Sequence, residues 1–257
     1  AIAATKTGRA VKCRLDRDDD MIMTGKRHDF VYGYDCGYDA DGRIDALDVT
    51  LESRCGRSKD LSGAINDRAV FHAENCYDID AVKITSHRYK THTVSNTAFR
   101  GFGGPQGMIG IEKIIEEIGF NLNVDPLDIR LTNAYQDGFE NMTPYGQKVE
   151  DAVAVDILTE LAQTSDYRAR RSDIRAFNKT SKILKKGIAI TPVKFGISFT
   201  KTHLNQAGAL VHVYADGSVH LNHGGTEMGQ GVFIKGAQVG AEEGKIPLEQ
   251  IKMAATR

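Results

Sequence analysis

The stretch SNTAFRGFGGPQGM, residues 95–108, sets four glycines, two phenylalanines and one arginine in fourteen positions, directly ahead of an apolar periodic run. Pro105 suits the first turn of a helix, where its missing N–H has no intrahelical bond to lose. Met108, Ile111, Ile115 and Ile118 then recur at helical spacing. The glycine turn therefore leads into a helix N-terminus. Amides at such a turn face outward with partial positive charge, and glycine lets a ligand approach the main chain closely. A second turn of this kind, HGGTEMGQG at 223–231, precedes another helical run. Neither turn fits a nucleotide fingerprint: GFGGPQG is not GxGxxG, and GGTEMGQG lacks the Lys-Ser/Thr of a P-loop. On pattern alone each is a tight structural turn or an anion cradle. Arg100, Phe99 and Phe102 in the first turn and Gln230 in the second add charge, stacking surface and directional hydrogen bonds. A planar, anionic, heteroatom-rich ligand would use all three.

Around these turns the periodicity is mixed. HDFVYGYD (28–35) and RIDALDVTLES (43–53) alternate as half-buried strands do, and ADGR (40–43) joins them as a hairpin. VKCRLDR (11–17) reads as a further strand. DPLDIRLTNAY (125–135) continues as a short helix, and the polar, turn-rich QDGFENMTPYGQKVED (136–151) marks a lobe boundary. Two helices are expected over 151–180. GIAITPVKFGISFT (187–200) opens the last lobe, followed by a second hairpin around ADGS (215–218). The tail from Gly231 reads as a helix, a break at Pro247 and a strand, and the opening AIAATKTG as the end of a helix capped by Gly8. Strand, glycine turn and helix occur twice, without a convincing internal repeat. The fold class is mixed α/β with two lobes: 1–136, a helical connector at 137–186, and 187–257. The missing start of the first helix and of any closing element at the tail point to a fragment, with the two lobes expected to meet a cofactor at their junction.

The 257 residues are 41% hydrophobic, enough for a real core, and the formal net charge is −1 with acids and bases interspersed. There is no global electrostatic case for nucleic acid or an anionic membrane. No apolar run reaches the roughly 18 residues of a membrane span and no signal-peptide pattern opens the chain, so the expected address is cytoplasmic. Cys13, Cys36, Cys55 and Cys76 lie without a close pair, so they read as free thiols rather than zinc or iron–sulfur ligands. The eight Lys/Arg from Arg168 to Lys186 read as a solvated basic face ahead of a phosphate site.

FRGFGGPQGM, LSGAINDRAVFH, KFGISFT, LNQAGALVHVYADGS and HGGTEMGQG resemble, in the same order, segments of the molybdenum-binding portion of the xanthine dehydrogenase/oxidase family. The resemblance covers essentially the whole chain. It implies a molybdopterin (Mo) cofactor, hydroxylation of purines in purine catabolism with oxygen from water, and FAD and [2Fe-2S] clusters on other domains or subunits of a dimeric enzyme. Carried over residue by residue, Arg68 matches the arginine that contacts the purine and stabilises charge as the ring is attacked, a task suited to a fixed, permanently cationic fork. Phe102 matches the aromatic that lies flat on the substrate, Phe199 the one that meets it edge-on, and Thr200 a neighbouring hydroxyl. Phe99, Arg100 and Gly101 resemble the stretch lining molybdenum and pterin. Met228, Gly229 and Gln230 resemble a turn that holds the pterin or its phosphate. The family holds its metal through pterin sulfurs, so no side-chain metal ligand is expected.

Arg68 also implies a purine rather than an aldehyde, because the related aldehyde oxidases generally lack it. Two family elements are absent from these 257 residues: the GGGFGGKE loop, expected just ahead of Ala1, and the segment with the catalytic glutamate base, expected beyond Arg257. Loss of a general base typically costs about 10² to 10⁴ in rate, so the chain alone is expected to be inactive. The alternatives are a non-catalytic fragment that retains purine or anion binding, and part of an aldehyde oxidase-like hydroxylase.

Overall fold

The computed structural model describes residues 1–254, which form two compact units, Ala1–Thr200 and Lys201 onward. The first unit runs α1 (Ile2–Thr7), α2 (Arg17–Met23), β1 (Phe30–Tyr38), β2 (Ile44–Gly56), α3 (Ser62–Phe71), β3 (Ala81–Lys90), α4 (Gly104–Leu122), α5 (Pro126–Asn133), α6 (Ala154–Thr164) and α7 (Tyr167–Thr180). The second contains β4 (Ala209–Val213), β5 (Val219–His223), α8 (Val232–Gly244) and β6 (Ile251–Ala254). The class is mixed α/β, as the periodicity predicts. Among the described residues no helix is long and apolar enough to cross a membrane.

In the first unit β1 and β2 pair antiparallel, from Phe30 opposite Ser53 to Tyr38 opposite Ile44. Their turn closes because Asp39 accepts from the amides of Asp41 and Arg43, each at 2.9 Å, while Gly42 takes up a left-handed φ of 84°. α3 then carries the chain across to β3, which joins β2 in parallel and gives the order β1-β2-β3. β2 alternates Ile44, Leu47, Val49 and Leu51 into the core, where they meet Ile111, Ile114, Ile115 and Ile118 of α4. Full burial of each such side chain stabilises by roughly 1.5–3 kcal/mol before packing terms. α4 thus lies on the sheet with the face its sequence spacing marks.

A smaller cluster of Leu127, Leu158, Tyr167 and Ile190 fixes α6 and α7 on α5. Part of the basic run is spent here: Arg168 pairs with Asp128, and Arg171 reaches Asp125 at 2.9 Å. Lys186 lies over the Phe177 ring. The rest of that run is exposed.

One expected strand is corrected. Residues 11–16 of VKCRLDR form no regular structure, and Arg17 already belongs to α2. Asp16 caps that helix, accepting from the Asp19 amide at 2.8 Å. Alternation stabilises a strand only where a neighbour supplies hydrogen bonds and a face is buried, and here Val11 and Cys13 are exposed. The glycine cap of α1, the two helices at 154–180 and the break at Pro247 ahead of β6 lie where the sequence places them.

The second unit repeats the first on a smaller scale. β4 and β5 form an antiparallel hairpin around Asp216 and Gly217, α8 follows, and β6 joins β5 in parallel. α8 rests on that sheet, with Leu221 and Ile251 against Gly240.

Candidate functional site

The glycine turn at 99–104 owes its shape to three consecutive left-handed residues, Gly101, Phe102 and Gly103, at φ 95°, 50° and 98°. The amide of Phe102 donates to the carbonyl of Phe99 (2.8 Å), and that of Gly104 to Gly101 (2.9 Å). The turn is pressed onto α3: a Cβ on Gly103 would lie 2.0 Å from the Ile65 oxygen, and one on Gly107 2.2 Å from that of Ala69. This contact brings Phe102 beside Arg68, which lies in the last turn of α3.

Arg68 is buried, and its two terminal nitrogens donate to the carbonyls of Gly196 and Ser198. Its Cζ lies 5.9 Å from the Phe102 centroid and 5.0 Å from that of Phe195. Burial pulls the guanidinium below its ordinary pKa, yet an arginine remains cationic at neutral pH. Its Nε–H has no hydrogen-bond partner among the described residues. The Phe102 and Phe199 rings sit 5.2 Å apart at 53°. Thr200 donates its hydroxyl to the Ala64 carbonyl (2.9 Å), leaving the oxygen's lone pairs to accept. Arg68, Phe102, Phe199 and Thr200, spread over 133 positions of sequence (Arg68 to Thr200), thus gather along α3 within one unit.

On the outer side of the turn, Arg27 donates to the Arg100 carbonyl (2.6 Å) and its Cζ lies 4.3 Å from the centroid of the half-exposed Phe99. Gln106 donates to the carbonyl of His28 (3.1 Å). Arg27 Nη1 and Gln106 Oε1 are buried with no partner among the described residues. Gln106 lies within the GFGGPQG motif but is not singled out by it, and Arg27 carries no motif and is marked only by its position beside the turn.

Met228, Gly229 and Gln230 lie in the second unit. There the Glu227 carboxylate accepts from the amides of Gly229 (2.7 Å), Gly231 (3.1 Å) and Phe233 (3.3 Å), the start of α8. Donation from Gly231 above all pulls this carboxyl below its ordinary pKa. Gln230 is engaged within the turn, accepting from the Met228 amide (2.6 Å) and donating to the Thr226 carbonyl (2.7 Å). The amides that sequence reasoning offers to an outside anion are used by the chain's own carboxylate. Among the described residues no group of three or more His, Cys, Asp or Glu is placed to hold a metal ion.

Residues 1–134 and 160–257 each match a molybdopterin cofactor-binding domain family. The chain is 46% identical over 256 residues to xanthine dehydrogenase/oxidase of Mus musculus and to that of Gallus gallus, and 44% identical to xanthine dehydrogenase of Drosophila pseudoobscura pseudoobscura. All of the chain is covered in each case, but it spans only 19% of the length of those relatives. In fold it is similar to the aldehyde oxidoreductases of Desulfovibrio gigas (TM-score 0.77, 24% identity, 99% of this chain and 28% of that one) and Desulfovibrio desulfuricans (TM-score 0.80, 22% identity, 98% and 27%). The chain belongs to the molybdopterin cofactor-binding domain family, with xanthine dehydrogenases among its relatives.

Proposed function

We propose that this chain is part of a molybdenum hydroxylase that oxidises hypoxanthine and xanthine to urate, and that it contributes the purine-contacting wall. The observation that carries the reading is a buried arginine with one unpaired N–H, set beside two aromatic rings. A purine is flat, apolar on its faces and studded with hydrogen-bonding atoms at its edge. Phe102 takes a face, Phe199 an edge, Thr200 an edge atom, and Arg68 the oxygen on which negative charge accumulates during attack on the ring. In a site shielded from water a fixed cation stabilises that charge without reorganising.

The turn at 99–101 is the proposed contact for the molybdopterin. Arg27 Nη1 and Gln106 Oε1, buried without partners next to it, fit an anionic ligand rich in heteroatoms. The turn at 228–230 is proposed to contact a molybdopterin cofactor; the Glu227 carboxylate takes its Gly229 and Gly231 amides. The cofactor, when bound, supplies the two-electron oxidation of the purine carbon. Water supplies the oxygen, and the electrons pass to iron–sulfur and FAD groups on other domains or a partner subunit. The lobes are proposed as 1–136 and 187–257, joined by 137–186, with residues 192–200 of the second packed on α3 of the first compact unit, in a cytoplasmic, dimeric parent enzyme. The chain spans 19% of its relatives' length, and by itself it is proposed to be inactive.

The test is steady-state oxidation of xanthine and of benzaldehyde by the full-length parent protein, beside the same assay on this chain alone. The expected result is kcat/KM higher for xanthine than for benzaldehyde, with no turnover by the chain alone. Preference for benzaldehyde would overturn the purine assignment, and turnover by the chain alone would overturn its predicted inactivity.

A further inference from the structure

Residues 192–200 have no helical or strand pairing, yet they are held along their length by α3 and the stretch that follows it. Asn75 donates to the Pro192 carbonyl (3.0 Å) and accepts from the Lys194 amide (2.9 Å). Glu74 is fully buried and pairs with the Lys194 ammonium. The Gly196 amide donates to His72 Nε2 (3.0 Å), Arg68 holds the Gly196 and Ser198 carbonyls, and Thr200 reaches Ala64. The segment therefore runs back along α3 as a strap, with Phe199 near its end and His72 at its middle.

His72 has one chemical state that fits. Nε2 accepts from Gly196, so the proton of the neutral ring is on Nδ1, which faces the Arg68 carbonyl at 2.8 Å. A proton on Nε2 would oppose two donors. The buried ring packs on Phe195, with centroids 5.0 Å apart. Two cations act on it, Arg68 from α3 and Lys194 from the strap, and Lys194 is itself paired with Glu74. From α4, Gly104 faces the ring: a Cβ there would lie 3.7 Å from His72 Cδ2.

We propose that His72 is a positioning residue: as a neutral imidazole it latches the 192–200 strap, and with it Phe199, onto α3, and protonation opens the latch. The consequence for purine binding rests on the function proposed above, whereas the latch itself does not. Burial above all lowers the His72 pKa from its ordinary 6.5; the bond to the Arg68 carbonyl opposes this, and the two cations add to it. The unfolded or open ring binds the proton more readily, so the latch is complete above about 6.5 and is lost as pH falls through the lower folded value.

Hydrogen exchange of the peptide covering 192–200, in the full-length parent protein, reads the latch directly. His72→Leu removes the acceptor, and His72→Gln retains one that does not titrate. Once intrinsic rates are divided out, exchange at Lys194 and Gly196 is expected to rise about tenfold in His72→Leu at neutral pH, the effect of one unmet buried N–H. Acidification should produce the same rise in the wild type and none in His72→Gln. KM for xanthine should follow the same pattern, with kcat changing less. Unchanged exchange in His72→Leu, or a His72→Gln protein with the wild-type pH dependence, would overturn the latch. Should the leucine variant not fold, the wild-type and glutamine pH series decide the matter. Failure of xanthine as a substrate would remove the purine reading while the exchange result still tested the latch.

Discussion

At Gly103 the backbone sits at φ 98°, and the space a Cβ would fill is held by the Ile65 carbonyl 2.0 Å away. Alanine there combines backbone strain with overpacking of α3 against α4, each typically worth 1–3 kcal/mol. Gly103→Ala is expected to lower the unfolding free energy by about 3 kcal/mol in urea denaturation, and a loss under about 1 kcal/mol would mean that the two helices separate freely. The glycines of this turn thus shape the helix crossing as much as they open the main chain to a ligand. That dual use is why GFGGPQG read alone left both readings open. The sequence marks Phe102 by its place in the glycine turn but names Arg68, Phe199 and Thr200 only through family resemblance, and their gathering along α3 depends on a strap that has no periodicity. His72, Glu74 and Asn75 went unmarked because buried polar residues that bond to distant backbone leave no spacing signal.

α5 illustrates how an element is fixed by one residue. Asp125 caps it, accepting from the Leu127 amide (3.0 Å), and also takes the Tyr167 hydroxyl (2.9 Å), Arg168 (3.2 Å) and Arg171 (2.9 Å). Arg168 is half-exposed and contributes little. The cap and the buried hydroxyl carry the effect. Asp125→Ala is expected to cost about 2 kcal/mol, measured by thermal unfolding, with Asp125→Asn restoring about half because an amide oxygen still caps. An equal loss in both variants would assign the effect to charge instead. At this scale the sequence was most legible where a strong period met a clear boundary: α4 behind Pro105, the two hairpins with their Asp-Gly turns, and α8 ahead of Pro247. It misled at 11–17, where alternation without a partner strand has nothing to stabilise it, and β3, strand-like but half-exposed, was not marked at all.

Across the whole molecule the same topology occurs twice, an antiparallel hairpin followed by a helix and a parallel third strand. Sequence comparison of the two halves does not reveal it, because only the ADG turns are shared at equivalent positions; the two glycine-rich turns are not, since α8 corresponds to α3 and the first glycine turn precedes α4. Topology survives where patterning is kept and side chains are replaced. The central claim is narrower: that the Arg68, Phe102 and Phe199 cluster receives a purine in the full-length parent protein. The measurement that tests it most directly is kcat/KM for xanthine in that protein with Arg68→Met, alongside its molybdenum content. The account predicts a fall of about 10² to 10³, the usual cost of removing one donor from a site of developing charge, with molybdenum unchanged. Wild-type turnover of xanthine by the variant, with molybdenum still bound, would contradict it.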